Sequence, residues 1–427
     1  MKSFSLLLLG VGISSCSGSS PAPGTYAPID RAHAVFWDRQ TTESAKLLNE
    51  IADAFNAQHP ALPIKVEKAG GYGDIFRKVS ASIQARKLPA MAVSYESMTA
   101  EYLPSGAIAP LDDFLNDPEI GFSQAELDDF FPVALESSRY TGFDGKVYSF
   151  PFAKSVLMLY YNNRVLAAAG IEAPPKTWLE FLDQCRQIKA TTGKFAHGVH
   201  VDASTVSAII YSMGGVIIED GKTQYDQAAA LEAFGIYETL AKEKLAYQIA
   251  PGTFDDEVAL AGDQIAFTLR SSGGRLNVNL AMDSDPARWG MTHIPQANPE
   301  KPITVLFGPS VNIFNTSAEQ QRTAWAFVRY FTSPGVSARW ARETGYLPVR
   351  KSSLEDPALK EFLAQDASNR AAFDALPTAR PEPNVLGWQQ IRPLVERAQT
   401  EVLTGLSDAR TAALKLKQQA DAVLAKQ

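Results

Sequence analysis

The chain has 427 residues, of which 45% are hydrophobic and 20% are charged, and its formal net charge is −7. A mature part of roughly 400 residues is too long for one hydrophobic core and predicts two lobes. The negative charge argues against a general nucleic-acid-binding surface. The 5 histidines and 2 cysteines show no spacing typical of a metal site. We therefore predict a globular protein without nucleic acid, metal or cofactor.

The N-terminus has the features of a bacterial export signal. Lys2 precedes an apolar run over residues 6–9, which is short of the roughly 20 residues that span a membrane. Ile13-Ser14-Ser15-Cys16 resembles a lipobox, in which cleavage leaves the cysteine lipidated; an ordinary signal with a chance cysteine is the alternative. We predict a lipoprotein signal peptide over residues 1–16, lipidated at Cys16, and a flexible Ser-, Gly-, Pro- and Ala-rich tether over residues 17–32.

Strands and helices alternate from residue 34. Short strands are predicted at 34–37, 64–66 and 90–93, with helical apolar spacing between them. This order predicts a largely parallel sheet covered by helices, with ligands outside the carboxyl ends of the strands. Tyr72 and Glu96 both lie just past such ends. A packed ring or a solvated carboxylate is the simpler interpretation of either residue alone, but their equivalent positions favour a ligand site.

The apolar stretch 150–163 follows an Asp144-Gly145 turn and leads into a helix start. We interpret it as the strand by which the chain passes from the first lobe into a second α/β unit. Lys154 and Ser155 stand at the mouth of this strand, before its most apolar part. The ligand is therefore predicted to lie at this crossing.

The second unit continues the alternation. Thr177 and Glu180 form a predicted capping box, and Cys185 lies on the apolar side of the helix behind it. Because Cys16 is the only other cysteine, no internal disulfide is predicted. Further strands are predicted at 198–201, 264–269 and 289–294, and further helices near 204–213 and 227–243.

The last third of the chain is predicted to visit both lobes. Residues 305–314 form an apolar strand interrupted by Gly308-Pro309-Ser310, and an amphipathic helix follows over 318–332. We assign these elements to the first lobe. The predicted lobes comprise residues 33–149 with 305–335, and residues 150–304 with 336–427.

Three features near the second lobe are suited to an anion. Ser271-Ser272-Gly273-Gly274 leaves a strand and enters a helix, where backbone N–H groups can approach a ligand; a plain helix cap is the alternative. Tyr346 stands between glycine and proline, in either a rigid ligand-binding loop or an ordinary turn. Arg392, near the start of an apolar helix, is either a solvated surface residue or a guanidinium that pairs two oxygens of a phosphate or carboxylate.

Several short motifs recur together in one known class of proteins. They are Phe36-Trp37, Leu159-Tyr160-Tyr161-Asn162, Pro174-Pro175-Lys176-Thr177-Trp178, Ser271-Ser272-Gly273, Thr344-Gly345-Tyr346-Leu347-Pro348 and Gln390-Ile391-Arg392. With these motifs, nearly the whole mature chain resembles the maltose-binding-protein-like solute-binding proteins of ABC transporters, and most of all their glycerol-3-phosphate-binding group. The resemblance implies a non-enzymatic α/β protein with the two-lobed periplasmic-binding-protein fold (type II). Each lobe is then a mostly parallel sheet flanked by helices, and the ligand lies in the interlobe cleft.

The resemblance also implies a set of ligand contacts. Carried over by motif, they fall on Tyr72, Glu96, Ser155, Ser272 or its neighbour Ser271, Gly308, Tyr346 and Arg392. Glu96 would accept hydrogen bonds from glycerol hydroxyls. The phosphoryl oxygens would be surrounded by Arg392, Ser272, Tyr346 and the Gly308 N–H. Glu96 must stay away from the phosphate because like charges repel in a desolvated cleft.

Two departures from the group bear on the ligand. Lys154 stands where a small polar residue is usual, and His200 stands where characterised members have tryptophans that shape the head-group pocket. Both are therefore further candidates for the ligand site, and a glycerophosphodiester such as glycerophosphocholine is a candidate ligand beside glycerol 3-phosphate. The resemblance implies an exported, monomeric binding component. It would deliver its ligand to ABC permease subunits and be held at the membrane only by its lipid anchor.

Three other functions are weighed against this one. A disaccharide-binding protein would want several aromatic platforms and carboxylates in the cleft, and would leave Arg392 without an obvious role. An exported phosphodiester hydrolase would need an activated nucleophile or a two-metal cluster. Asp255-Asp256-Glu257 is the one dense acidic group, and we expect no histidine near it. We therefore interpret it as a solvated helix start. A purely structural lipoprotein would not explain polar residues converging on one cleft.

Overall fold

The computed structural model describes residues 25–143, 145–250 and 253–427. The predictions for the signal peptide, for Cys16 and for the tether over residues 17–24 fall outside these ranges, as does Asp144 of the predicted turn. None of the helices in the described ranges combines the length and the apolar character that a membrane span needs.

Short strands and helices alternate along the described chain. The strands are β1 (Ala27–Pro28), β2 (Ala34–Asp38), β3 (Ile64–Lys68), β4 (Lys87–Leu88), β5 (Met91–Ser94), β6 (Phe150–Pro151), β7 (Ser155–Asn162), β8 (His197–Val199), β9 (Ile218–Glu219), β10 (Lys222–Thr223), β11 (Ala246–Gln248), β12 (Phe267–Ser271), β13 (Trp289–His293), β14 (Val305–Phe307), β15 (Ser310–Ile313) and β16 (Arg380–Pro381). The α-helices are α1 (Thr42–Gln58), α2 (Tyr72–Gln84), α3 (Glu96–Tyr102), α4 (Asp112–Asn116), α5 (Gln124–Asp129), α6 (Pro132–Glu136), α7 (Asn163–Ala168), α8 (Trp178–Thr192), α9 (Ala203–Ser212), α10 (Ala228–Lys242), α11 (Asp255–Ala261), α12 (Arg275–Ala281), α13 (Ala318–Phe331), α14 (Pro334–Thr344), α15 (Pro357–Gln365), α16 (Ala367–Ala375), α17 (Trp388–Leu403) and α18 (Ala409–Leu424).

The sheet of the first lobe has the order β3-β2-β5-β15-β6. β2 runs parallel to β3 and β5, so that Phe36 pairs with both Val66 and Met91, whereas β15 is antiparallel to β5 and β6. All five residues of β2 are buried because helices cover both faces of the sheet, as its continuous apolar pattern indicates. The parallel strands therefore end at one common edge of this sheet.

The sheet of the second lobe has the order β11-β8-β12-β7-β14-β16, and β13 also pairs with β7. β8 is parallel to β11 and β12, β14 is parallel to β16, and β7 is antiparallel to β12, β13 and β14. The ends of β8, β12, β14 and β16 and the start of β7 consequently share one edge.

Two segments pass side by side between the sheets. The chain leaves β6 in the first sheet and enters β7 in the second through residues 152–154, and it returns from β14 to β15 through Gly308 and Pro309. The predicted single strand over residues 305–314 is thus two strands in different lobes, because the break at Gly308 is where the chain changes sheet.

The C-terminal boundary of the first lobe lies later than the sequence predicts. Trp340, Tyr346 and Val349 are buried in the core of the first sheet, and the Trp340 ring contacts Phe331 edge-on with 5.2 Å between ring centroids. The apolar face of α14 needs a partner surface, and α13 supplies it. We therefore propose a lobe boundary near residue 350 in place of 335.

The segment 25–32 is also more ordered than a tether. The Tyr26 ring is buried, its hydroxyl donates to the Ser105 carbonyl at 2.8 Å, and β1 pairs with β4 in parallel. These contacts correct the predicted tether at its C-terminal end, where the chain has joined the first lobe by Tyr26.

Candidate ligand-binding cleft

The candidate site residues lie along the two sheet edges described above. In the first lobe, Arg39 follows β2, Tyr72 follows β3 and Glu96 follows β5. In the second lobe the edge residues are Lys154 and Ser155 at the start of β7, His200 after β8, Ser271 and Ser272 at the end of β12, Gly308 after β14 and Glu382 after β16. The topology thus brings these residues, which are far apart in the sequence, to the carboxyl edges of the two sheets.

Glu96 and Lys154 form a buried ion pair beside the first crossing. Lys154 Nζ donates to Glu96 Oε1 at 2.6 Å and to Ser310 Oγ at 2.8 Å. Glu96 Oε1 also accepts hydrogen bonds from Ser310 and Ser137. Among the described residues no hydrogen bond falls on Glu96 Oε2, so this oxygen remains able to accept a ligand hydroxyl.

Two of the candidate site residues, Tyr72 and Ser155, have buried hydroxyls with no hydrogen-bond partner among the described residues. Such groups are uncommon in folded proteins, because burying an unpaired polar atom is unfavourable. Burial raises the pKa of Tyr72 well above its ordinary value, so its hydroxyl stays protonated and can donate. Both atoms suit hydrogen bonds to a polar ligand.

Gly308 is required by its surroundings. Its φ is +96°, and a Cβ there would lie 2.5 Å from the Ala153 carbonyl oxygen and 2.9 Å from Ser155 Oγ. Only glycine permits this close approach of the two crossing segments.

The turn after β12 combines two serines with different contacts. Ser272 is buried and its Oγ accepts the Val156 N–H at 3.3 Å, which leaves its own hydrogen to donate. Ser271 Oγ accepts the Gly273 N–H at 3.1 Å and so caps the turn. Tyr346 lies against this turn, since a Cβ on Gly273 would be 3.1 Å from its ring.

Arg392 is already paired within the protein. Its Nη1 donates to Glu382 Oε2 at 2.5 Å and to Ser204 Oγ at 3.1 Å, and its Nη2 donates to Asp202 Oδ1 at 3.2 Å. Burial raises the pKa of Glu382, and the Arg392 charge opposes that shift. The role of Arg392 as a phosphate ligand stays a prediction, and in this arrangement two carboxylates already occupy the guanidinium.

Arg39 is a further cleft residue, which none of the sequence motifs identifies. Its Nη1 donates to the Tyr346 hydroxyl at 3.0 Å, and its guanidinium lies 5.0 Å from the centroid of the Tyr72 ring. Among the described residues no carboxylate forms an ion pair with it. The signal was present in the sequence, because Arg39 follows the first strand just as Tyr72 and Glu96 follow the next ones.

Four side chains form a row across the cleft. The Tyr72 and Tyr95 rings stack with 3.9 Å between centroids. Arg39 covers the Tyr72 ring and Arg392 lies 5.3 Å from the Tyr95 ring. Because Arg392 belongs to α17 and the other three to the first lobe, the row joins the two lobes through cation–π contacts.

His200 takes part in a charged cluster rather than standing free. Its Nε2 lies 2.9 Å from Asp256 Oδ2, and Arg270 Nη1 donates to both oxygens of the same carboxylate at 2.6 and 2.7 Å. Burial alone would raise the pKa of Asp256, but His200 and Arg270 hold it well below the usual range. Asp256 is fully buried and Glu257 also pairs with Arg270. The predictions of a solvated helix start and of no nearby histidine were therefore wrong for Asp256, because the fold brings Arg270 and His200 into contact with it.

The cleft shows no sign of a metal centre within the described ranges, where no group of three His, Cys, Asp or Glu side chains has suitable spacing.

Cys185 is buried in the second core, and burial raises the pKa of its thiol.

Two lobes with polar residues at the carboxyl edges of their sheets are an arrangement suited to binding a small solute. Residues 50–368 match the family of bacterial extracellular solute-binding proteins, and the chain belongs to that family. It is a solute-binding component of an ABC transporter of the maltose-binding-protein-like group, which confirms the predicted class and the two-lobed fold.

Among its relatives is the sn-glycerol-3-phosphate-binding periplasmic protein UgpB of Escherichia coli (strain K12). The two are 25% identical over 388 residues, which cover 87% of either chain. Similar solved structures include UgpB from Mycobacterium tuberculosis in complex with glycerophosphocholine, with 22% identity, a TM-score of 0.82 and coverage of 92% of this chain and 98% of that one. Another is the GacH receptor of Streptomyces glaucescens GLA.O, solved unliganded and with acarbose, with 21% identity, a TM-score of 0.80 and coverage of 93% and 99%.

Proposed function

We propose that the protein captures sn-glycerol 3-phosphate or a glycerophosphodiester and delivers it to ABC permease subunits. The observation that carries this proposal is Arg39, a cleft guanidinium with no carboxylate partner among the described residues. A partly buried charge is costly unless it is paired, and a phosphate supplies both the charge and two acceptor oxygens. A neutral sugar would leave Arg39 without a directly bonded anion, since the neighbouring Asp38 carboxyl acts on it only through space.

The surroundings of Arg39 support a phosphate at this point. Its hydrogen bond to Tyr346 directs the guanidinium toward the turn at Ser272 and Gly273, against which the Tyr346 ring packs. Ser272 has a hydroxyl hydrogen to donate, and so does Tyr346, whose oxygen accepts from Arg39. We therefore assign the phosphate to Arg39 with Tyr346 and Ser272, in place of Arg392.

The glycerol part is assigned to the groups around the first crossing. Glu96 Oε2 would accept from a glycerol hydroxyl, and the unpartnered hydroxyls of Tyr72 and Ser155 would complete its hydrogen bonds. Lys154 pairs with Glu96 and so offsets the repulsion between this carboxylate and a phosphate in the same cleft. We further propose that the protein is exported, monomeric and lipid-anchored through Cys16.

The stacked pair of Tyr72 and Tyr95 favours one second candidate, a disaccharide-binding protein of a sugar importer. Arg39 and Arg392 cover the outer faces of this pair, so a sugar would contact the ring edges and the Tyr72 hydroxyl, which has no hydrogen-bond partner among the described residues. The two candidates differ in ligand charge, which makes them separable in solution.

Calorimetric titration of the mature, unlipidated protein with glycerol 3-phosphate, glycerophosphocholine and maltose tests the proposal. We expect saturable binding of at least one phosphoglycerol compound and none of maltose. Binding of maltose alone would replace the phosphoglycerol proposal with the sugar candidate. The ratio of the two phosphoglycerol affinities reports what His200 does where tryptophans are usual.

A further inference from the structure

A second cavity opens on the first lobe, away from the cleft. Its volume is about 1030 Å³, and its wall is formed by the end of α1, by α13 and by the segment before α5. Apolar side chains make up most of that wall. Ile120, Ala326 and Tyr330 are partly exposed on it, whereas Phe55 and Trp325 are fully buried. None of the cleft residues described above lines it.

The polar part of this wall is rich in arginine. Arg322, Arg329 and Arg350 lie on it, against Glu126 and Glu319. The nearer carboxylate compensates the arginines only loosely. Glu126 Oε2 accepts the N–H and the hydroxyl of Ser123 at 2.8 and 2.9 Å, while Oε1 lies 3.5 Å from Arg329 Nη2 and 3.9 Å from Arg350 Nη2.

Arg350 is the least satisfied of these groups. Its residue is 5% exposed, and its guanidinium lies 5.0 Å from the Phe122 ring centroid and 4.6 Å from that of Phe130. Its Nε has no hydrogen-bond partner among the described residues, and its nearest carboxylate contacts, at 3.8 and 3.9 Å, are beyond hydrogen-bond reach. A buried guanidinium in this state calls for an acceptor.

We propose that this cavity binds a small amphipathic anion. A carboxylate or phosphate head would pair with Arg329 and Arg350, and an apolar body would pack on Ile120, Ala326 and Tyr330, which are partly exposed in the cavity. The volume matches that of small-molecule sites, which run from about 300 to 1,000 Å³. The proposal does not depend on the ligand of the cleft, because the two sites share no residue.

Octanoate is a suitable probe, with acetate and 1-octanol as partial probes that carry only the charge or only the chain. We expect saturable octanoate binding by calorimetry, and binding of either partial probe at least about tenfold weaker, because each lacks one of the two contributions. No saturable octanoate binding, or equal binding of octanol, would overturn the proposal. Binding of an acidic, leucine-rich peptide in place of octanoate would replace it with a protein partner.

Three variants locate the probe. Ala326→Trp fills the cavity and leaves the arginines in place, and Arg329→Gln removes a charge at a side chain that is 31% exposed and so does not threaten folding. Arg339→Gln, on α14 outside the cavity, is the matched control. We expect the first two to weaken octanoate binding by about tenfold or more and the control to leave it unchanged. Unchanged octanoate binding in Ala326→Trp would place the probe elsewhere and overturn the proposal. Titration of the same variants with glycerol 3-phosphate reports the cleft separately.

Discussion

Lys154 Nζ lies 2.6 Å from Glu96 Oε1, and this ion pair joins the segment that crosses between the lobes to the end of strand β5. The Lys154 side chain is 1% exposed and that of Glu96 is 11% exposed. Charges so far from water depend on each other, because neither has bulk solvent to replace its partner. The stability of the crossing segment at residues 152–154 therefore depends on Glu96, a candidate ligand-binding residue.

Replacing Lys154 should show this dependence. Lys154→Met leaves the Glu96 carboxylate buried and unpaired, so we expect the free energy of unfolding to fall by about 3–5 kcal/mol. The double variant Lys154→Met/Glu96→Gln should recover most of that loss. Urea unfolding at pH 7 measures both. The control is Lys242→Met, which removes an exposed ion pair with Glu238 and should cost less than about 1 kcal/mol; an equal loss in both single variants would contradict the argument.

Arg39→Gln should weaken the binding of an anionic ligand and leave the binding of a neutral ligand nearly unchanged. We expect it to weaken glycerol 3-phosphate binding by about 2–5 kcal/mol, because the phosphate would lose its charge partner in the cleft. The control is Arg77→Gln on α2, whose side chain is exposed and pairs with Asp74. Calorimetric affinities of the two variants give the comparison.

Arg392→Gln is the competing test of the same assignment. We expect this variant to lower the free energy of unfolding, because Glu382 loses the partner that offsets its burial. If Arg392→Gln abolishes glycerol 3-phosphate binding while Arg39→Gln leaves it intact, the phosphate belongs to Arg392 and our assignment fails.

Gly308→Ala should disturb the second crossing. Its added Cβ would lie 2.5 Å from the Ala153 carbonyl oxygen, whereas a Cβ on Gly106, which also has a positive φ, meets nothing within 4 Å. Both variants place alanine at a positive φ, which is unfavourable. The difference between their free energies of unfolding therefore reports mainly the steric clash at residue 308. We expect Gly308→Ala to be less stable than Gly106→Ala by at least about 1 kcal/mol in urea unfolding. Equal stabilities would contradict the close approach of the two crossing segments at Gly308.

Asp38 should make stability fall as the pH rises through the mildly acidic range. Burial raises the pKa of this carboxyl to about 6, against the opposing Gln40 N–H and Arg39 charge. Between about pH 4 and 6 the folded protein holds a proton that the unfolded chain has released, so the free energy of unfolding decreases by up to about 3 kcal/mol across that window.

The measurement for Asp38 is the difference in unfolding free energy between pH 4.5 and pH 7. Asp38→Asn cannot titrate and should lack the decrease that Asp38 contributes, whereas the exposed Asp113→Asn should keep it. An identical pH dependence in all three proteins would show that Asp38 titrates normally.

Local signals in the sequence predicted much of the fold. The capping box is present, with the Glu180 N–H donating to Thr177 Oγ1 at 3.1 Å, and Cys185 lies in the second core. The stretch from Phe150 to Asn163 does carry the chain from one sheet to the other, with Lys154 at the passage. Such features depend on neighbours a few residues away, which a sequence displays directly.

Other features depended on partners distant in sequence. Asp256 looks solvated in its helix start, but Arg270 and His200 bury it from neighbouring strand ends. Arg392 looks unpaired until the fold brings Asp202 and Glu382 to it. The contacts of Arg39 are not evident from the sequence, because Tyr72 and Tyr346 come from two other parts of the chain.

The sequence by itself determined much of the alternation of strands and helices, the class of solute-binding protein and most of the candidate residues at the strand ends. Periodicity, capping and motifs are local properties, so they can be recognised in the sequence without the fold. Only the tertiary structure decided which charges are neutralised: Glu96 by Lys154, Arg392 by Glu382, and Arg39 by no carboxylate within the described ranges. Coulomb energy depends on distance and burial, and both arise only when the two sheet edges face each other across the cleft.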